Sequence, residues 1–143
     1  MVLVDVNLLV LAIASQAPNH PQAKAWLQAL LQSEEAIGLP WAVLIGFVRI
    51  TTNPRAMTNP FTIEAAVRQI KDWLALPGVT VLHPSADHAH HFAAQCVTAK
   101  AAGNLVSDAH LAALAIEHAC DLASNDADFA KFPGVRWFNP LSA

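Results

Sequence analysis

The chain begins with an aliphatic run, Met1 to Val4, that stops at Asp5. Such an uninterrupted apolar run predicts a strand buried on both faces in a parallel sheet. A helix is expected from about Leu8, with Asn7 as its cap. After a loop at Pro18-Asn19-His20-Pro21, Ala23, Trp26, Leu27, Leu30 and Leu31 recur at helical spacing and mark the buried stripe of a surface helix. Ala36 to Leu39 reads as a short strand closed by Pro40. Trp41 to Ile50 reads as a helix with Leu44, Phe47 and Val48 on one face, ended by Thr51-Thr52-Asn53-Pro54. Beyond a break at Thr58-Asn59-Pro60, Thr62 caps a stripe of Ile63, Val67, Ile70 and Leu74 that ends at Pro77-Gly78.

Val79 to Leu82 predicts the next strand, and Ala89, Phe92, Ala93, Cys96 and Val97 the next helix, with Gly103-Asn104 as its left-handed stop. An alanine-rich helix from Ser107 to His118 follows, burying Leu111, Ala112, Ala115 and Ile116. Leu122 to Ser124 is a strand, Asn125 to Asp128 a turn, and Val135 to Phe138 a last short strand. Strands alternating with helices imply a parallel α/β sheet wrapped on both faces. With 143 residues and no linker or repeat, residues 1–143 are expected to be one domain around one core.

Composition narrows the picture. Hydrophobic residues make up 55% and charged residues 13%, which is too apolar for a disordered chain and too sparsely charged for a coiled coil. The apolar opening lacks a basic leader and contains Asp5 and Asn7, so no signal peptide and no membrane anchor is expected. Cys96 and Cys120 form no close pair and suit a reducing cytoplasm. The net charge of −3 excludes binding nucleic acid by bulk attraction, so any nucleic-acid chemistry must be local and cation-assisted.

In an open parallel sheet the ligand crevice lies beyond the carboxyl ends of the strands. Two acidic places follow strands there: Asp5, and Asp126 with Asp128. Asp108, at the start of the alanine-rich helix, is able to point into the same crevice. Each acid alone also reads as a helix cap, a dipole partner or a turn residue. Asp5 resists that reading most, because a carboxylate between aliphatic neighbours is costly to bury unless it is paired or bound to a cation. Converging carboxylates repel one another, which a hard divalent cation relieves, and an all-oxygen set favours Mg²⁺ or Mn²⁺. His88, His90 and His91 read as a solvated helix face. Trp26, Trp41, Trp73 and Trp137 read as core or dimer packing rather than base-stacking platforms.

Four segments carry a family resemblance. L-V-D-V-N-L-L at the amino end, W-A-V-L-I-G-F-V-R-I-T-T-N-P-R at 41–55, S-D-A-H-L-A-A-L-A-I-E-H at 107–118 and S-N-D-A-D-F-A-K-F-P at 124–133 together resemble the PIN-domain VapC toxins. The resemblance implies a three-layer α/β/α fold with a short, mainly parallel sheet. It implies a ribonuclease that is the toxin of a type II toxin-antitoxin pair, a homodimer, and a VapB-like antitoxin partner. It also implies Mg²⁺ held by Asp5, Asp108 and Asp126, with Asp128 in the outer shell. Arg49 and Arg55 are candidate phosphate contacts, since a guanidinium offers paired planar donors. An ion pair with a nearby carboxylate is the alternative for Arg49. One departure stands out: where relatives place a glutamate, this chain has Gly46. That keeps a second reading open, a PIN-like module that binds RNA or protein without cutting. A dehalogenase-like phosphatase would need a second aspartate at Asn7, and a receiver domain a lysine motif that Lys131 alone does not supply.

Overall fold

Val2–Val4, the strand β1, is buried along its whole length, as the central strand of a parallel sheet must be. In the computed structural model, which describes residues 1–142, β1 pairs with β2 (Ile37–Pro40) on one side and β4 (Asp121–Ala123) on the other. β3 (Val79–Leu82) flanks β2 and β5 (Arg136–Phe138) flanks β4, giving the order β3-β2-β1-β4-β5 with every pairing parallel.

Parallel neighbours require crossover helices, and those crossovers are right-handed. The crossovers from β1 to β2 and from β2 to β3 contain α1 (Val6–Ile13), α2 (His20–Gln32), α3 (Trp41–Thr51) and α4 (Ile63–Leu74). The return from β3 to β4 contains α5 (His88–Ala99) and α6 (Leu105–Glu117) and runs the opposite way. Opposite directions put the two groups on opposite faces, and the packing agrees: α1 lies against α2 and α3, α3 against α4, and α5 against α6. The result is the three-layer α/β/α arrangement. The core between the layers includes Leu3, Leu8, Leu44, Phe47, Leu114 and Leu122, all fully buried.

Several local expectations shift. α1 starts at Val6 rather than Leu8, and its cap is Asp5, whose Oδ1 accepts the Val6 N–H at 2.7 Å. A buried carboxylate takes the nearest free helix N–H, and Asn7 lies inside the first turn. α5 ends at Lys100, in the left-handed conformation at φ 51°, ahead of Gly103-Asn104. Gly103 is left-handed too, at φ 58°, but Asn104 is right-handed. The expected cap of α4 is present, with Thr62 Oγ1 accepting the Ala65 N–H at 3.1 Å. His88 departs from the solvated face: Glu117 accepts from its Nδ1, and its Nε2 meets His110 Nδ1 at 2.9 Å.

The turn after β4 continues as a 3-10 helix, Ala127–Lys131, anchored by Phe129. Phe129 is fully buried and packs on Phe132 with ring centroids 6.0 Å apart. Truncating it therefore empties the core beneath the Asp126–Asp128 turn. Phe129→Ala is expected to lower stability by about 3–5 kcal/mol, whereas an exposed substitution on the same helix, Ala130→Ser, stays within about 0.5 kcal/mol. Urea unfolding of the two variants against the parent checks this.

Candidate metal centre

The strand order creates a switch point between β1 and β4. The chain leaves β1 towards β2 and leaves β4 towards β5, on the other side, so a crevice opens where these strands end. Asp5 is the first residue after β1, and Ser124, Asn125 and Asp126 are the first three after β4. The β1–β4 register pairs Val4 with Ala123, which sets Asp5 beside Ser124. The Asp5 N–H extends the ladder to Ala123 O at 2.9 Å. Asp108 enters from the first turn of α6.

Asp108, Asp126 and Asp128 each present a carboxylate oxygen, and these three atoms lie within 4.8 Å of one another. Asp126 Oδ1 accepts the Asp128 N–H at 2.9 Å, capping the 3-10 helix and holding the two aspartates in one turn. Asp5 stands next to this group rather than in it. Its Oδ1 takes the Val6 N–H, and its Oδ2 takes the Ser124 hydroxyl proton at 2.7 Å. Ser124, fully buried, also accepts the Asp126 N–H at 3.0 Å and an Asn7 Nδ2–H at 3.2 Å. Its carbonyl accepts from Trp137 Nε1 at 3.0 Å. One serine thus ties the Asp5 side of the site to the Asp126 side.

The charges are felt. Burial, then the Asp126, Asp5 and Asp128 carboxylates, push Asp108 up to about 6 from its ordinary 3.8, with Lys131 opposing them. Burial likewise raises Asp5, although the hydrogen bonds from Ser124 and Val6 pull the other way. Lys131 Nζ reaches Asp128 Oδ1 at 3.1 Å, both half-exposed.

Arg49 sits in the last turn of α3, a helix that starts at the carboxyl end of β2. Eight residues of helix, about 12 Å, separate it from that strand edge. Arg55 is exposed in the loop that follows. Among the described residues Arg49 makes no ion pair with a carboxylate. At Gly46 a Cβ would meet Val6 Cγ2 at 3.3 Å, so the space a larger side chain would need is held by the residue following Asp5. Ser124 had no role in the sequence beyond ending a strand, and neither Lys131 nor Trp137 was tied to the acids there. A serine two residues before an aspartate was the one available signal for Ser124.

A divalent cation fits the residues present. The donors are oxygens, neither histidine nor cysteine belongs to the group of three, and the carboxyls gain from a positive charge among them. A buried amide oxygen on the residue whose Nδ2 bonds Ser124, Asn7 Oδ1, has no protein partner among the described residues.

This fold with acids at its switch point defines the PIN domain, and residues 2–135 match that family. Ribonuclease VapC37 of Mycobacterium tuberculosis is 39% identical over 140 residues, 98% of this chain and 97% of that protein. Ribonuclease VapC33 of the same organism is 33% identical over 141 residues, 99% of each. Among solved structures, M. tuberculosis VapC20, a Sarcin-Ricin loop cleaving toxin, superposes with TM-score 0.71 at 20% identity, covering 95% of this chain and 98% of that one. VapBC2 of Rickettsia felis bound to a promoter DNA fragment gives TM-score 0.70 at 17% identity over 97% and 98%. The chain belongs to the VapC ribonucleases of the PIN-domain family.

The raised Asp108 has a consequence for the metal-free protein. The folded state holds this proton more tightly than the unfolded chain does, so stability rises as pH falls from about 7 towards 4 and is lost as pH rises through about 6. Asp108→Asn removes that slope. The group is half-exposed, so solvent screening reduces the gain at neutral pH to the order of 1 kcal/mol. Thermal unfolding of parent and variant across this range in EDTA measures it, and parallel curves would contradict the arrangement.

Proposed function

We propose that this chain is a divalent-cation-dependent ribonuclease that hydrolyses RNA phosphodiester bonds, with Asp5, Asp108, Asp126 and Asp128 as its working acids. The observation that carries the reading is the group of three carboxylate oxygens within 4.8 Å at the switch point of the sheet, in a chain of the VapC family. Mg²⁺ is the cation we assign, with Mn²⁺ able to replace it, because both are hard ions that accept oxygen-only shells. Asp108 and Asp126 are direct ligands in this reading, with Asp5 completing the set from the buried side.

A cation bound there would hold a phosphate oxygen, lower the pKa of a bound water and stabilise the leaving oxygen. The protein's own part is to orient and to hold. Asp126 and Asp128, fixed in one turn, orient the attacking water and receive its proton. Ser124 keeps Asp5 and that turn in register. Arg49 and Arg55, exposed and outside the acid group, meet phosphates on either side of the one that is cut.

The rival reading, a module that binds without cutting, rests on Gly46. Four acids gather at the crevice without any contribution from position 46, and Asp128 stands among the three whose oxygens converge. That favours the enzyme.

As a toxin, the chain requires a silencing partner. VapBC2 of Rickettsia felis, whose fold this chain shares, was solved bound to a fragment of its promoter DNA, and we infer a VapB-like antitoxin for this chain too. Its amphipathic helix suits the groove between α3 and α4. That groove has a volume of 370 Å³ and is lined by Trp41, Ile45, Val48, Ile63 and Ile70. Trp41, Ile45 and Ile63 are 46%, 61% and 54% exposed, which leaves an apolar strip uncovered. A basic side chain from the same partner suits the carboxylate group. We also infer a homodimer, supported by α5, which has no fully buried residue and leaves Val97 exposed. No helix of the described residues is long and apolar enough to cross a membrane, and with two free cysteines we place the protein in the cytoplasm.

RNA cleavage by the purified chain tests the central claim. Turnover is expected with Mg²⁺ or Mn²⁺, none in excess EDTA, and at least about a 100-fold loss in Asp108→Asn and Asp126→Asn with the fold intact. Co-expression with a VapB-like antitoxin is expected to suppress it. Cleavage that persists in chelator, or at the parent rate in Asp108→Asn, would contradict the assignment.

A further inference from the structure

Asn7 was expected to cap a helix, and Asp5 does that instead, which leaves the amide free for another task. Its Nδ2 donates to Ser124 Oγ at 3.2 Å. The same oxygen gives its proton to Asp5 Oδ2 at 2.7 Å and receives the Asp126 N–H at 3.0 Å. These bonds decide which way round the amide sits. An ionised carboxylate only accepts, so the Ser124 proton is committed to Asp5. With the amide reversed, Asn7 Oδ1 would face an oxygen with no proton to share. Oδ1 is therefore the atom left over, buried and without a partner among the described residues.

A buried amide oxygen needs a donor or a positive charge. Through Ser124 this amide is joined to the Asp5 carboxylate and to the backbone N–H of Asp126, which Ser124 Oγ already takes; neither that carboxylate nor those of the acid group has a donor to offer when ionised. What can satisfy it is the cation that the same carboxylates call for, or a water that the cation holds. We infer that Asn7 Oδ1 is the neutral oxygen of the cation's coordination shell, reached directly or through one of its waters. A neutral amide oxygen adds a ligand without adding to the repulsion among the carboxylates. It does so in a chain whose Gly46 supplies no acid. The inference rests on the cation reading above, and its test is separable from it because no RNA or turnover is involved.

The test is Mn²⁺ binding to the metal-free, full-length protein, read as free Mn²⁺ by electron paramagnetic resonance. Asn7→Ala is expected to weaken binding about tenfold or more. Alanine favours the helical position, and circular dichroism checks that the variant is folded. Parent affinity in Asn7→Ala would overturn the inference. A role limited to holding Ser124 is tested in a Ser124→Ala background: adding Asn7→Ala there should still cost affinity, and no further loss would overturn the inference. Should Asn7→Ala fail to fold, Asn7→Asp keeps an oxygen in place and is expected to bind Mn²⁺ at least as tightly as the parent. Weaker binding by that variant would count against Asn7. No Mn²⁺ binding by the parent would remove the cation reading itself, and this inference with it.

Discussion

Ser124 Oγ has one proton to give and two lone pairs to receive, and all three are engaged within the acid site. It donates to Asp5 and accepts from the Asp126 backbone and the Asn7 amide. The oxygen is buried, so none of these bonds is traded freely with water. Through it, a residue on β1's carboxyl end, a residue in α1's first turn and the turn after β4 form one unit. Adjacent parallel pairing of β1 and β4 sets Asp5 beside Ser124, and the hydroxyl fixes what that neighbourhood does.

The unit brings negative charges closer than they would settle alone. Asp108 shows the cost, with its carboxyl pushed up to about 6 by burial and by three other carboxylates. Proteins hold such an arrangement where function needs it. Lys131 offsets part of the repulsion, but it reaches Asp128 from half-exposed solvent and is easily drawn away. A divalent cation is the natural counter-charge, and a basic side chain from an antitoxin would compete for the same place.

Much of this was legible in the residues. The aliphatic run ending at Asp5, the acids following β4 and the alanine-rich helix opening at Asp108 are local patterns, and each falls where periodicity put it. The strands and helices were legible for the same reason, with shifts of a few residues at their ends. What the sequence hid depends on pairing between distant segments. A sequence separation of 119 conceals the hydrogen bond between Asp5 and Ser124 until the strand order is known. The handover of the cap from Asn7 to Asp5 follows from the buried carboxylate's need for an N–H. His88 looked solvated on its own helix and turned out to face Glu117 and His110 on α6. Arg49 stood out for its paired guanidinium donors alone, and the sequence did not show that it stands in the last turn of α3, eight helical residues beyond the end of β2.

The most direct measurement is a crystal of this chain soaked in Mn²⁺, with an anomalous difference map at the manganese edge. The account predicts a peak among the carboxylates of Asp108, Asp126 and Asp128, on the side facing Asp5 and Asn7. A map with no peak there, and with the Lys131 ammonium settled between the acids instead, would contradict it.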